Sequence, residues 1–415
     1  MARTAAKLQE GSRITDHISL GVLAKTFPKS LVDDLLQRSG KASARRRDFP
    51  ANVAMYYVIA LGLYSEVAYR EVLRCLLEGL QWLRGERPEP RVVAPSSITQ
   101  ARERLGWEVV QQLHDEVVKP VATEATRGAW YRQWRLVGLD GSTMDVPDED
   151  ENRKAFGFQV GAHGDSAFPT IRFLSLVETG TRVLFGSRMG PYLTSELSLA
   201  EEVLPLLKPG MLCLADRGFY SFRTWAIAKG TGADLVWRIK KNMVLPREKE
   251  LEDGSYLSRV YESRKDQKQK RAGVWVRVVD YTLSGVLETE PIYRLITTIL
   301  DPEQAPALEL ATLYHERWEI ETAFDELKTH LRAGKLTLRS KTPDLVRQEF
   351  YGLLMAYFAV RGLIHEAALA GEVDPDRLSF THAVRVVRRK MTQAASLPPS
   401  GRPRLPRKGA AGTPR

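Results

Sequence analysis

The chain has 415 residues, 43% of them apolar and 27% charged, enough for a sizeable core and for two or three domains. Lys and Arg outnumber Asp and Glu by 61 to 51, a net charge of +10 that favours polyanionic partners, because neutralising phosphates releases condensed counterions. The two cysteines, Cys75 and Cys213, form no CxxC pair, the N-terminus has no apolar leader, and the apolar run 53–64 falls short of the about 20 residues of a membrane span; this argues against disulfides, cysteine zinc sites, a signal peptide and a membrane helix, and fits a reducing cytoplasm.

In chain order, residues 14–85 read as helical, with Leu31, Leu35 and Leu36 at amphipathic spacing and a basic connector containing Arg45, Arg46 and Arg47. A Pro- and Arg-rich break, 84–95, precedes a helical pair over 96–121, whose start offers Ser96, Ser97 and Thr99 as caps. From Trp134 the texture changes. The apolar run 136–139 ends at Asp140, paired strands flank a turn at 178–181, and a helix over 195–207 stops at Pro209-Gly210. The strand 211–215 ends at Asp216, a helix covers 222–229, and 235–239 is a strand again, an alternation that indicates an α/β sheet. Residues 241–290 interrupt it as a β-rich, Lys- and Arg-rich insertion, with 274–279 alternating as a strand. Strand 295–300 returns to the sheet, and two long helices follow, about 307–333 and 344–369. From Arg388 the chain reads as a basic, disordered tail. The expected division is a helical N-terminal domain (1–130), an α/β catalytic core (131–240 and 291–370), a β-rich insertion (241–290) and a helical extension with tail (371–415).

Two strands thus end in an aspartate, and functional groups gather at strand ends in α/β sheets. Each alone also reads as an ordinary turn or cap residue. The helix after Pro306 adds weight. Tyr314, Arg317, Glu321 and Lys328 stand at offsets 0, 3, 7 and 14. At about 100° per residue they share a stripe roughly 60° wide, beside the apolar line of Ile320, Phe324, Leu327 and Leu331. Two aspartates and a glutamate suit hard cations, and two such ions serve phosphodiester chemistry. Arg317 and Lys328 would neutralise phosphate charge. Arg102 and Arg104 would read bases or grip phosphates from the groove, or stand as solvated surface arginines.

At these residues the sequence resembles the DDE transposases of the insertion-sequence-4 family. Tyr314-x2-Arg317-x3-Glu321-x6-Lys328 is similar to that family's YREK signature. Val137 to Ser142 resembles its first aspartate motif, and Ala215 to Tyr220 its second. The segment 97–106 and the helices before it resemble its N-terminal DNA-binding region. The resemblance implies a ribonuclease-H-like core with a β-rich insertion. It implies Asp140, Asp216 and Glu321 as ligands of two Mg²⁺ ions, with Mn²⁺ able to substitute. It implies double-stranded DNA as partner, namely terminal inverted repeats and target, and a homodimer on DNA in the bacterial cytoplasm at the nucleoid. The chemistry implied is cut-and-paste: nicking, a hairpin step, then strand transfer. Some members place a tryptophan before the signature helix to stack on a flipped base. Here Tyr293 would serve, with Trp237 or Trp275 as alternatives. Asp145 is a second acidic neighbour of the first motif. A nuclease of the same fold class would share the carboxylates, whereas a binding-only derivative would not need all three intact.

Overall fold

The computed structural model describes residues 18–44, 49–84, 92–161, 164–282, 292–315, 317–332, 334 and 337–396. Arg45, Arg46 and Arg47, and the middle of the break at 84–95, lie outside them.

Six helices come first: α1 (Ile18–Thr26), α2 (Lys29–Arg38), α3 (Ala51–Leu63), α4 (Tyr69–Arg84), α5 (Pro95–Leu105) and α6 (Glu108–Val117). Helix α3 is apolar all round because it is buried all round, as its unbroken run from Ala54 to Leu63 shows. Then come β1 (Trp130–Tyr131), β2 (Trp134–Asp145), α7 (Asp150–Phe156), β3 (Phe158–Gly161), β4 (Gly164–Glu178), β5 (Val183–Pro191), α8 (Glu196–Val203), β6 (Met211–Ala215), α9 (Phe222–Gly230) and β7 (Asp234–Arg238). Strands β8 (Lys249–Glu250) and β9 (Tyr256–Val260), helix α10 (Arg264–Gln269), and strands β10 (Val274–Tyr281) and β11 (Tyr293–Thr297) follow.

These strands form one mixed sheet in the order β3-β4-β2-β6-β7-β11-β10-β9-β8, with β5 on β4 and β1 on β2. Strands β2, β6 and β7 run parallel, and β4 and β5 are antiparallel. Strands β8 to β10 continue the same sheet through β11, which pairs antiparallel with β7. The β-rich segment therefore extends the core sheet. Its Arg277, fully buried, donates to Ser255 Oγ and to Ala305 O, both at 2.7 Å.

The helical end holds two departures from the sequence reading. The helix expected over 307–333 is broken into α11 (Ala307–His315), α12 (Trp318–Asp325) and a π turn, Glu326–His330. At the break the backbone tightens to three-residue bonds, Arg317 N–H to Tyr314 O at 3.3 Å and Ile320 N–H to Arg317 O at 3.0 Å. Helix α13 (Pro343–Ala370) is the spine of the molecule and packs on α1, α3, α6 and β5. It is the one described helix long and apolar enough to cross a membrane, but most of that stretch is buried within the protein. The second departure is α14 (Phe380–Ser396), which continues past Arg388 where a disordered tail was expected. Buried Val384 and Val387 hold it in place, and the Arg388 guanidinium donates to Leu63 O and Leu331 O, both at 2.7 Å. Residues after 396 lie outside the described part.

Candidate active site

Register brings the two aspartates together. In the parallel pair β2–β6, Leu139 faces Ala215, so the next residues, Asp140 and Asp216, lie side by side. Asp140 does not end its strand, as the sequence suggested, because β2 runs on to Asp145. Glu321 arrives from α12. That helix packs on β2 through Ile320, which rests against the bare backbone of Gly138: a Cβ there would lie 2.0 Å from Ile320 Cδ1 and force it to shift. The extended sheet anchors the start of α11, where Asp253 Oδ2 accepts Ala307 N–H at 2.8 Å.

The signature residues converge on the carboxylates. Arg317 Nη1 lies 3.1 Å from Asp140 Oδ2, and its Nη2 lies 3.7 Å from Glu321 Oε1. Tyr314 OH donates to Asp216 Oδ1 at 3.2 Å, and Arg238 Nη1 lies 3.6 Å from the same oxygen. Lys328 Nζ donates to Ser142 Oγ at 2.9 Å, two residues past Asp140 on the same face of β2. Burial raises the Asp140 pKa, and the charges of Asp216 and Glu196 push the same way, against Gly141 N–H and Arg317. Burial disfavours the Arg317 charge, yet Tyr314 and the three carboxylates together raise its pKa. Lys328 is lowered, chiefly by burial.

Asp140, Asp216 and Glu321 all present carboxylate oxygens, the donors a hard divalent cation prefers, and the burial that raises the Asp140 pKa disfavours its charge in the absence of a cation. The donor set fits such an ion. Among the described residues, however, no three His, Cys, Asp or Glu side chains are gathered closely enough to hold one, and Arg317 lies within ion-pair range of both Asp140 and Glu321.

Other expected residues fare differently. Arg102 does not reach the surface. It is 3% exposed and donates to Gln348 Oε1 at 3.2 Å and to Ser340 Oγ and Leu345 O at 3.0 Å, so the groove reading is withdrawn for it. Arg104 is exposed on the last turn of α5. Tyr293 is partly buried. Tyr281 on β10 stacks on it at 5.3 Å, and Arg238 on β7, the opposite neighbour of β11, lies 4.7 Å from its ring. A base stacking on this ring would compete with these two neighbours. Trp237 is fully buried, which removes it as a stacking platform. Trp275 is 37% exposed, with Arg259 at 4.1 Å over its ring. Asp145 lies an odd number of residues from Asp140, hence on the other face of β2, and accepts from Thr170 Oγ1 at 2.9 Å.

The sequence reading missed Arg238, Glu196 and Trp318, and it placed Ser142 only as the end of the first aspartate motif. Arg238 closes a parallel strand beside β6, a position that strand order alone marks. Glu196 opens α8, and its charge acts on Asp140. Trp318 follows Arg317 directly and is 64% exposed, an unusual exposure for tryptophan.

Comparison with known proteins places this geometry. Residues 135–359, which carry all three carboxylates, match the model of the transposase DDE domain. The protein is thus a DDE transposase, an enzyme that cuts and rejoins DNA phosphodiesters, and domains of this kind use divalent metal ions. Residues 17–115 match the model of the insertion element 4 transposase N-terminal region. The chain is 30% identical over 384 residues to the transposase InsG for insertion sequence element IS4 of Escherichia coli (strain K12), covering 91% of this chain and 84% of that protein. It is also 26% identical over 204 residues to the putative transposase InsZ of the same organism, covering 49% of this chain and 65% of that one. The chain belongs to the insertion-sequence-4 family of DDE transposases. A cryo-EM structure of the piggyBac transposase synaptic complex with hairpin DNA aligns over 93% of this chain and 83% of its own, at a TM-score of 0.46 and 11% identity, too remote to add to the assignment.

Proposed function

We propose that the protein moves an insertion sequence by cut-and-paste transposition, binding the terminal inverted repeats as a homodimer in the cytoplasm, at the nucleoid. The observation that carries this is the side-by-side placement of Asp140 and Asp216, with Arg317 tying Asp140 to Glu321. The core reads as ribonuclease-H-like, in support of which β5, β4 and β2 run antiparallel and β6 and β7 continue parallel.

In this reading Asp140, Asp216 and Glu321 hold the divalent ions, two Mg²⁺ replaceable by Mn²⁺. Bound there, such ions would supply positive charge for activating the attacking oxygen and stabilising the leaving one. Arg317 and Lys328 bind phosphate oxygens on either side of the cut, and Tyr314 orients Asp216 through its hydroxyl while offering a further contact to the backbone. The order of events is a nick at the element's end, attack of the freed 3′-hydroxyl on the opposite strand through a hairpin, and joining of the reopened ends to target DNA. With Tyr281 and Arg238 already against the Tyr293 ring, Trp318 and Trp275, both exposed, are further rings on which an extruded base would stack. Arg104, the Lys- and Arg-rich segment around α10 and the basic tail add salt-sensitive affinity for the duplex.

The test is a cleavage and strand-transfer assay on a labelled duplex carrying the inverted repeats that flank the gene. Mg²⁺-dependent breaks at the repeat ends with joined products support the proposal. Breaks scattered along the duplex point to a nuclease, and binding without breaks points to a binding-only protein.

A further inference from the structure

The helix that carries Glu321 widens into a π turn at Glu326–His330. There Leu331 N–H donates five residues back to Glu326 O at 2.8 Å, and Gly334 N–H to Thr329 O at 3.0 Å. Turns of this kind are rare and concentrate at functional sites. This one starts at a carboxylate that is only 5% exposed. Glu326 accepts from Arg361, from Tyr357 OH at 3.0 Å and from Arg182 at 3.2 Å. Arg361 and Tyr357 stand one turn apart on α13, and Arg182 projects from the β4–β5 turn, where it also meets Asp376 at 2.9 Å. Two separate parts of the core thus grip the carboxylate.

Such a cluster is a poor source of stability, since taking the charges out of water costs about as much as their attraction returns. What it does supply is position. Two residues beyond Glu326 is Lys328, whose Nζ reaches Ser142 Oγ beside the paired aspartates. In an uninterrupted α-helix Lys328 would fall within about 20° of the line of Glu321. A π turn spreads more residues over each turn, so Lys328 lags behind that line and faces β2.

We infer that Glu326 is a positioning residue: clamped by Arg361, Tyr357 and Arg182, it holds the π turn that sets Lys328 against Ser142. The inference rests on the reading of Lys328 as a phosphate grip.

A double-mutant cycle on the full chain separates the two. Single-turnover cleavage of the inverted-repeat duplex is measured with Mg²⁺ for the native chain, Glu326→Gln, Lys328→Ala and the pair, each with a melting curve. Lys328→Ala is expected to slow cleavage about 100-fold, as loss of a preorganised cation at a reacting phosphate does. Glu326→Gln is expected to slow it about 10-fold alone, but by less than about twofold when Lys328 is already absent, because coupled residues are not additive. Equal slowing in both backgrounds overturns the inference, because a general structural defect adds. Glu326→Gln at the native rate, with Lys328→Ala crippled, overturns the inference alone. Lys328→Ala at the native rate overturns the phosphate grip, and the inference with it. Should Glu326→Gln fail to fold, Tyr357→Phe removes one donor, keeps both arginines and runs the same cycle, with an expected slowing of about threefold.

Discussion

Arg102 spends its guanidinium inside the protein, on Gln348, Ser340 and the Leu345 carbonyl at the start of α13. Removing it strands these groups without solvent. Arg102→Ala is therefore expected to destabilise the fold by about 1–3 kcal/mol. It is expected to leave the preference among base-substituted inverted repeats unchanged. A urea midpoint and a binding series check both, and a native midpoint with relaxed specificity would restore the groove reading. Arg104, two residues on, remains available to DNA. Nothing local distinguishes the pair in the sequence. The partners of Arg102 lie about 240 positions away along the chain, and only the packing of α5 against α13 reveals them. Asp140, Asp216, Tyr314, Arg317, Glu321 and Lys328 were legible for the opposite reason. Their types and spacings resemble a family signature, and Tyr314, Arg317 and Lys328 each contact one of the carboxylates or the strand that carries it.

At the scale of elements, the contact of α12 with β2 decides where Glu321 points. Ile320, fully buried, rests directly over Gly138. Gly138→Ala forces a methyl group into that contact, and overpacking of this kind typically costs about 1–3 kcal/mol. Because the displaced Ile320 precedes Glu321 on α12, end cleavage is expected to fall further than stability does, and Gly138→Ala combined with Ile320→Ala is expected to recover part of the rate. Single-turnover cleavage beside a melting curve measures this. A rate that merely follows stability would show that α12 does not set the site. The periodicity placed the polar quartet beside the apolar stripe correctly, but it assumed one straight helix. Neither the tightening at Arg317 nor the π turn at Glu326 leaves a periodic mark, and each stands beside an ion-pair partner distant in sequence: Asp140 at the first and Arg361 at the second. For the same reason Arg388, which reads as part of a polar tail, is in fact tied to α3 and the π-turn region.

At the scale of the whole molecule, the N-terminal helices and the sheet share α13 as their common wall, and the seam contains a buried histidine. His114 of α6 is fully buried against Tyr351 of α13 and donates through Nδ1 to Asp115, which Arg188 of β5 also holds at 3.0 Å. Burial is the largest influence on His114 and lowers its pKa below the usual 6.5, despite Asp115. The folded state therefore binds fewer protons than the unfolded one. Stability from this group is complete above about pH 6.5 and is lost as pH falls below it. Denaturation midpoints from pH 7.5 to 5 are expected to drop more steeply for the native chain than for His114→Gln; equal slopes would show that His114 is not what titrates. The alternation of strands and helices foretold an α/β sheet, and the alternating residues of 274–279 foretold β10. Which strands run parallel, and that the β-rich segment extends the same sheet, depends on pairings between segments tens of residues apart, which a single sequence does not encode locally. That pairing sets Asp140 beside Asp216, and the site depends on it. The most direct measurement is single-turnover cleavage of the inverted-repeat duplex by Asp140→Ala, Asp216→Ala and Glu321→Ala, with binding of the same duplex followed in parallel. Each variant is expected to bind within a fewfold of the native chain and to cut at no measurable rate. A variant that cuts at the native rate would remove its residue from the metal-binding set and contradict the three-carboxylate site.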